Sequence, residues 1–258
     1  MIALRDVTFS YKKGRRALDR ISLKIDKGEH VAVIGPNASG KTTLAMIMNA
    51  LLVPDSGDCI VDGVNTRDDA VHARKAVGLV FQDPESQVVA RHVRDDVAFG
   101  PTNLGLPTGE VEERVYGSLG AVGMESLVDR EVSGLSGGQK QLLAIAGVLA
   151  MRPSYIVMDE PTSLLDGKGK ETVDDAIAGL KKYGIGIVRI THDMPEALCA
   201  DRAVVLDGGR IIADALPEMV FSDRALLDGI GVEPPYAFKL MRALGRDILT
   251  GEVSHICR

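Results

Sequence analysis

The sequence predicts an α/β fold, and three observations carry the prediction. His30-Val31-Ala32-Val33-Ile34 is a short β-branched run that passes straight into Gly35-Pro36-Asn37-Ala38-Ser39-Gly40-Lys41-Thr42 and then into the apolar helical stretch Thr43 to Leu51. That is the strand–loop–helix order of a phosphate-binding loop. Further β-rich runs at 76–81, 155–159 and 186–190 each end in polar side chains: Gln82, Asp159 with Glu160, and His192. From Asp83 to about Pro153 the pattern is mostly helical, broken at Pro84, Pro101, Pro107 and Gly134, as expected of a helical lobe inserted into a strand-rich core.

The bulk composition narrows the class. A chain of 258 residues, 45% hydrophobic and 26% charged, can bury a sizeable core. Its net charge of −6 argues against a basic nucleic-acid-binding surface, so no nucleic-acid partner is expected. The longest apolar candidate, Leu142 to Met151, is about half of a bilayer span, and Met1 to Asp6 lacks the basic start and apolar core of a signal peptide. Any membrane role is therefore expected to be peripheral. Cys59, Cys199 and Cys257 are widely spaced and odd in number, which points to a reduced, cytoplasmic compartment and away from a thiolate metal site.

Along the chain, Ile2 to Phe9 and Leu18 to Ile25 alternate as half-buried strands, flanking the polar hairpin-like stretch Lys12-Lys13-Gly14-Arg15-Arg16. Tyr11, at its edge, is either core filler or a platform for a nucleobase. Asp58 to Gly63 reads as a strand ending in a turn, and Ala76 to Phe81 as a buried strand. Leu135-Ser136-Gly137-Gly138-Gln139 precedes a helix from Lys140 to Met151, and its glycine pair is either a plain helix entry or a second anion-accepting N-terminus. A helix from Lys168 to Lys182 follows the loop 163–167, and Asp207-Gly208-Gly209 joins Arg202–Leu206 to Arg210–Ala213 as a hairpin. Beyond Ala215, Pro217, Pro234 and Pro235 punctuate short amphipathic helices suited to contact.

The chemistry-bearing residues follow from these placements. Gly35 and Gly40 let backbone N–H groups approach a polyphosphate, Lys41 supplies a point charge to its β- and γ-phosphates, and Thr42 offers a hydroxyl to Mg²⁺. Asp159 suits the Mg²⁺ shell and Glu160 the polarisation of an attacking water. His192 ends a core strand on the edge where the phosphate loop and the carboxylates end theirs, the edge at which open α/β sheets bind ligands. The other four histidines read as structural.

With these pieces in this order the chain resembles an ATP-binding-cassette ATPase over almost its full length. The resemblance rests on the phosphate loop 35–42, Gln82, the Leu135 to Gln139 signature, the Walker B strand ending Asp159-Glu160, a D-loop ending in Asp166, and His192. It implies a phosphate-loop NTPase core with an antiparallel β subdomain, a helical subdomain at about 84–153, and a C-terminal helical extension at 216–258 beyond a cassette of residues 1–215. It also implies a site for ATP and Mg²⁺ holding Tyr11 on the adenine, Gly35 to Thr43 on the phosphates, and Thr42, Gln82 and Asp159 on the metal. Glu160, His192 and Lys41 would be catalytic. The signature would act in trans, so a second cassette, identical or paralogous, is needed.

Val80 to Gln87, Asp95 to Pro101 and Asn103 to Pro107 further resemble the energy-coupling-factor ATPases that drive uptake of cobalt, nickel and vitamins. Their partners would be an integral scaffold subunit and a separate substrate-binding membrane subunit, and the extension would help dimerise the ATPases. Leu164 stands where the D-loop commonly has Ala, Lys140 where Arg is common, and Asp83 and Ser86 where this subfamily often shows Asn and Asp; none removes a catalytic group. The other readings are the ATPase of another importer or exporter, and a regulatory module without a transport role.

Overall fold

The computed structural model describes residues 1–12 and 14–243. The chain opens with β1 (Ile2–Lys12), β2 (Arg15–Ile25) and β3 (His30–Ile34), then α1 (Lys41–Met48), β4 (Ser56–Val61), β5 (Val64–Asn65), α2 (Ala70–Ala76) and β6 (Val77–Val80). Three longer helices follow, α3 (Val93–Asn103), α4 (Thr108–Ala121) and α5 (Gly137–Leu149), before β7 (Tyr155–Asp159), α6 (Gly167–Leu180), β8 (Gly186–Ile190) and α7 (Met194–Leu198). The hairpin β9 (Arg202–Asp207) and β10 (Arg210–Ala215) leads into α8 (Pro217–Ser222), α9 (Arg224–Ile230) and α10 (Tyr236–Ala243).

Two sheets result. β2-β1-β4-β5 is antiparallel, whereas β10-β9-β3-β8-β7-β6 is parallel except for β10. The parallel strands are apolar and buried on both faces, as a sheet covered on two sides requires. Successive residues of β3 show the division: Val31 and Val33 join the core shared with α1 and the antiparallel sheet, while Ala32 and Ile34 pack with Phe221, Leu227 and Ile230 of α8 and α9. Ile156 and Met158 of β7 turn instead to the helices α3 to α6. The start of the C-terminal segment thus packs into the same core as β3; the 244–258 part of the expected extension, and Lys13 of the polar hairpin, lie outside the described residues.

Several boundaries differ from the sequence reading. Lys41 and Thr42 already belong to the first turn of α1, and the helix gives out after Met48, with Ala50 in a left-handed conformation (φ 59°). β4 starts at Ser56. Ala76 ends a helix rather than starting a strand: Asp69 caps the start of α2 by accepting from the His72 N–H, and the Val77 N–H still closes the last turn onto the Ala73 carbonyl. Pro101 lies inside α3 instead of breaking it: only one backbone donor is missing near the helix end, and the Leu104 N–H still reaches the Gly100 carbonyl at 3.1 Å.

Candidate nucleotide site

Parallel pairing sets the strand ends level. Val33 and Asp159 both register with Ile190, and Val80 with Met158, so the segments after β3, β6, β7 and β8 emerge along one edge of the sheet. The loop after β3 needs its glycines. Gly35 has φ 146°, and a Cβ there would lie 2.0 Å from the Leu206 carbonyl oxygen; Gly40 has φ 109°, with the Ala17 carbonyl oxygen 2.5 Å from its Cβ position. Only a residue without a side chain fits either place. Lys41 Nζ donates to the Gly35 and Pro36 carbonyls, both at 2.9 Å, which ties the ammonium across its own loop. Burial pushes the Lys41 pKa down, and the charges of Glu160 and Asp159 oppose that shift.

Asn37, Ala38, Gly40, Lys41, Thr42 and Thr43 line a cleft of about 510 Å³ beside the loop. Tyr11 forms its rim; it is 60% exposed, its hydroxyl is 3.2 Å from Thr43 Oγ1, and its ring meets Phe9 edge-on. Ser39 is buried behind the loop, where its carbonyl accepts from Gly209 N–H. The exposed Tyr11 face answers the question the sequence left open: the ring is not core filler.

The two carboxylates at the end of β7 have separate partners. Thr42 Oγ1 donates to Asp159 Oδ2 at 2.6 Å, bringing a hydroxyl and a carboxylate together at the start of α1. Burial raises the Asp159 pKa, the Thr42 hydrogen bond opposes this, and the Glu160 charge adds to it. Glu160 sits at φ 49°, a left-handed conformation for a non-glycine residue, with its N–H bonded to the Ile190 carbonyl. Its Oε2 is 3.2 Å from both Gln82 Nε2 and His192 Nδ1, and Gln82 also donates to Ser163 Oγ at 3.0 Å. Glu160 itself lines the cleft, whereas Gln82 and His192 reach it through Glu160.

The signature stands apart from that cleft. Ser136 caps α5 in a reciprocal box, its Oγ accepting from Gln139 N–H and its N–H donating to Gln139 Oε1. Leu135 is buried; Gly137 lies against Leu165, and a Cβ on Gly138 would come within 3.1 Å of Gly169 Cα. Asp166 caps α6 by accepting from Gly169 N–H at 2.7 Å. The signature and the D-loop therefore pack on each other within one chain, and neither lines the cleft. The sequence reading missed Lys12 and Arg16, which line the cleft from the β1–β2 hairpin; the cationic run beside Tyr11 was their signal. It placed Ser163 in the loop that ends in Asp166 but not its bond to Gln82.

The ABC transporter family model matches residues 18–163. The cobalt import ATP-binding protein CbiO of Syntrophus aciditrophicus is 46% identical over 266 residues, covering 100% of this chain and 95% of that protein. The energy-coupling factor transporter ATP-binding protein EcfA1 of Bacillus subtilis is 44% identical over 260 residues, covering 99% and 92%. Among solved structures, the ATP-binding cassette MJ0796, a dimer in a post-hydrolysis state bound to ADP and Pi, superimposes with a TM-score of 0.75 at 29% identity, covering 84% of this chain and 99% of that one. A phosphate loop, a carboxylate pair and a signature placed in this way, with relatives this close over the full length, show that the chain belongs to the ABC transporter family as one of its ATP-hydrolysing cassettes.

Proposed function

We propose that this chain hydrolyses ATP to drive an energy-coupling-factor uptake transporter for a metal ion or vitamin, as a peripheral subunit on the cytoplasmic face of the membrane. The observation that carries the catalytic part is the meeting of Gln82 and His192 on Glu160 at the rim of the phosphate-loop cleft. The transport assignment rests on the relatives named for cobalt import and for an energy-coupling factor. Among the described residues no helix is long and apolar enough to cross a membrane, which suits a subunit that works against separate integral partners, a scaffold and a substrate-binding protein.

In this reading the loop from Gly35 to Thr43 wraps the ATP phosphates at the N-terminus of α1, its backbone N–H groups, which Pro36 lacks, pointing at them; Lys41 leaves its loop carbonyls for the β- and γ-phosphates, and Tyr11 stacks on the adenine. The Thr42–Asp159 pair, joined in this reading by the Gln82 side chain, is a set of hard oxygen donors with a single carboxylate, which fits Mg²⁺ shared with phosphates. Bound there, Mg²⁺ would offset charge on the phosphate oxygens. Glu160 takes the proton of the attacking water, and His192 and Gln82 hold that carboxylate in place and report the γ-phosphate.

Ser136 and Gly138 have no role in their own cleft and close over the ATP of a second cassette, identical or paralogous. Asp166 lies on that seam beside the 64% exposed Leu164. The exposed Leu216, Met219, Tyr236 and Leu240 support the reading of the segment from 216 onward as a dimerisation element. Glu160→Gln is expected to keep ATP binding and lower steady-state hydrolysis by about a hundredfold to ten-thousandfold. Near-normal turnover in that variant would remove Glu160 from the role of base.

A further inference from the structure

We propose that Glu196 is a positioning residue that sets the spacing between the two groups at the reacting end of the site, the Glu160 carboxylate and the His192 imidazole; this rests on the catalytic reading of those two residues. Glu196 is in the short helix α7, its side chain is 3% exposed, and it does not line the cleft. Each of its oxygens ties down one catalytic segment. Oε1 accepts from Thr162 Oγ1 at 2.6 Å, two residues beyond Glu160. Oε2 accepts from Thr191 Oγ1 at 2.5 Å, the residue before His192, and Thr191 Oγ1 in turn accepts from the Asp193 N–H at 2.9 Å. His192 is thus flanked by two residues locked to the same buried carboxylate.

A buried carboxylate persists only with compensating charge and full hydrogen bonding. Both are present. Arg189, itself 5% exposed, reaches Oε2 at 2.8 Å and also pairs with Asp174 of α6 at 2.6 Å. Lys170, in the first turn of α6, is 3.0 Å from Oε1 and bonds Asp193 as well. Because α6 begins at the residue capped by Asp166, the same carboxylate joins the catalytic pair to the element that carries the D-loop. Displacement of α6 is therefore felt at Thr162 and Thr191 together, and so at both sides of the 3.2 Å Glu160–His192 contact.

Glu196→Gln would take away one of the two carboxylates that pair with buried Arg189 and confuse misfolding with mispositioning, so the test uses Thr191→Val, which removes one hydroxyl, with its bonds to Glu196 and Asp193, and no charge. Thr191→Val is expected to lower kcat about tenfold while leaving ATP affinity unchanged, and Thr191→Ser, which restores the hydroxyl, to recover it. In a His192→Ala background the valine should cost less than about twofold further, because the group it positions is gone. A merely structural role would lower both backgrounds by the same factor, and that multiplicative result overturns the inference. A loss confined to KM, or no loss in Thr191→Val while His192→Ala loses kcat, also overturns it. Unchanged kcat in His192→Ala would overturn the reading of His192 and this inference together. Thr162→Val, which removes the hydroxyl shared by Glu196 and Arg189, reads the tether from the Glu160 side and is expected to lower kcat in the wild-type background with ATP affinity unchanged; unchanged kcat there overturns the Glu160 half of the inference.

Discussion

Single residues in this molecule are placed by what they cannot do elsewhere. Gly35 and Gly40 are required because carbonyls occupy the space a Cβ would take, and Glu160 tolerates a left-handed backbone because its N–H is bonded to the Ile190 carbonyl. His30 shows the same principle outside the site. Burial, then repulsion from Lys181 and Arg189, lowers its pKa from 6.5 to about 4, against the opposing charge of Asp201. The folded protein therefore holds His30 neutral in a range where the unfolded chain protonates it. Stability is retained above 6.5 and lost as the pH falls from there towards about 4. The expected loss from this residue is about 2 kcal/mol between about pH 7 and about pH 5. Urea unfolding of wild type against His30→Asn at the two pH values checks it: the variant should lack that acid limb.

At the scale of elements, α5 carries two duties on one end. Its N-terminus is stabilised by the Ser136–Gln139 box, and the same serine belongs to the proposed trans face. The two duties are compatible, since Ser136 Oγ accepts from Gln139 N–H and keeps its own O–H free to donate. Ser136→Ala is therefore expected to cost about 1 kcal/mol of folding stability through the lost cap. Its loss of ATPase activity should be much larger than so small a destabilisation explains. Denaturant unfolding and steady-state hydrolysis of the one variant separate the two. The β-rich core runs and the hairpin were legible because alternation and β-branched runs report local burial. Pro101 and the α2–β6 junction were not, because a helix can absorb one missing donor near its end and a side-chain cap can move a boundary.

At the scale of the whole molecule, the sheet edge gathers the phosphate loop, Asp159, Glu160, Gln82 and His192, whereas the signature packs on the far end of the D-loop, near Leu165 and Gly169, and does not line that cleft. On the proposed reading a lone cassette carries two half-sites, each of which needs a second cassette. ATP should therefore promote association, and Glu160→Gln should trap it. Capture from native membranes with tagged Glu160→Gln and ATP is expected to retain a second cassette together with membrane subunits. Adding Lys41→Ala, which removes the phosphate contact, should abolish the ATP-dependent gain in the second cassette. Capture that does not respond to ATP would contradict closure across a nucleotide seam.

The sequence by itself determined the phosphate loop, the order of the core strands and the identity of the groups at their ends, because each depends on neighbours within a few positions. The tertiary structure decided which of those groups meet. It gave Asp159 to Thr42 and Glu160 to Gln82 and His192, brought Lys12 and Arg16 to the cleft from a distant hairpin, and buried Glu196 between Thr162 and Thr191. Contacts between residues tens of positions apart are set by strand register and sheet order, and no local pattern in the chain encodes them.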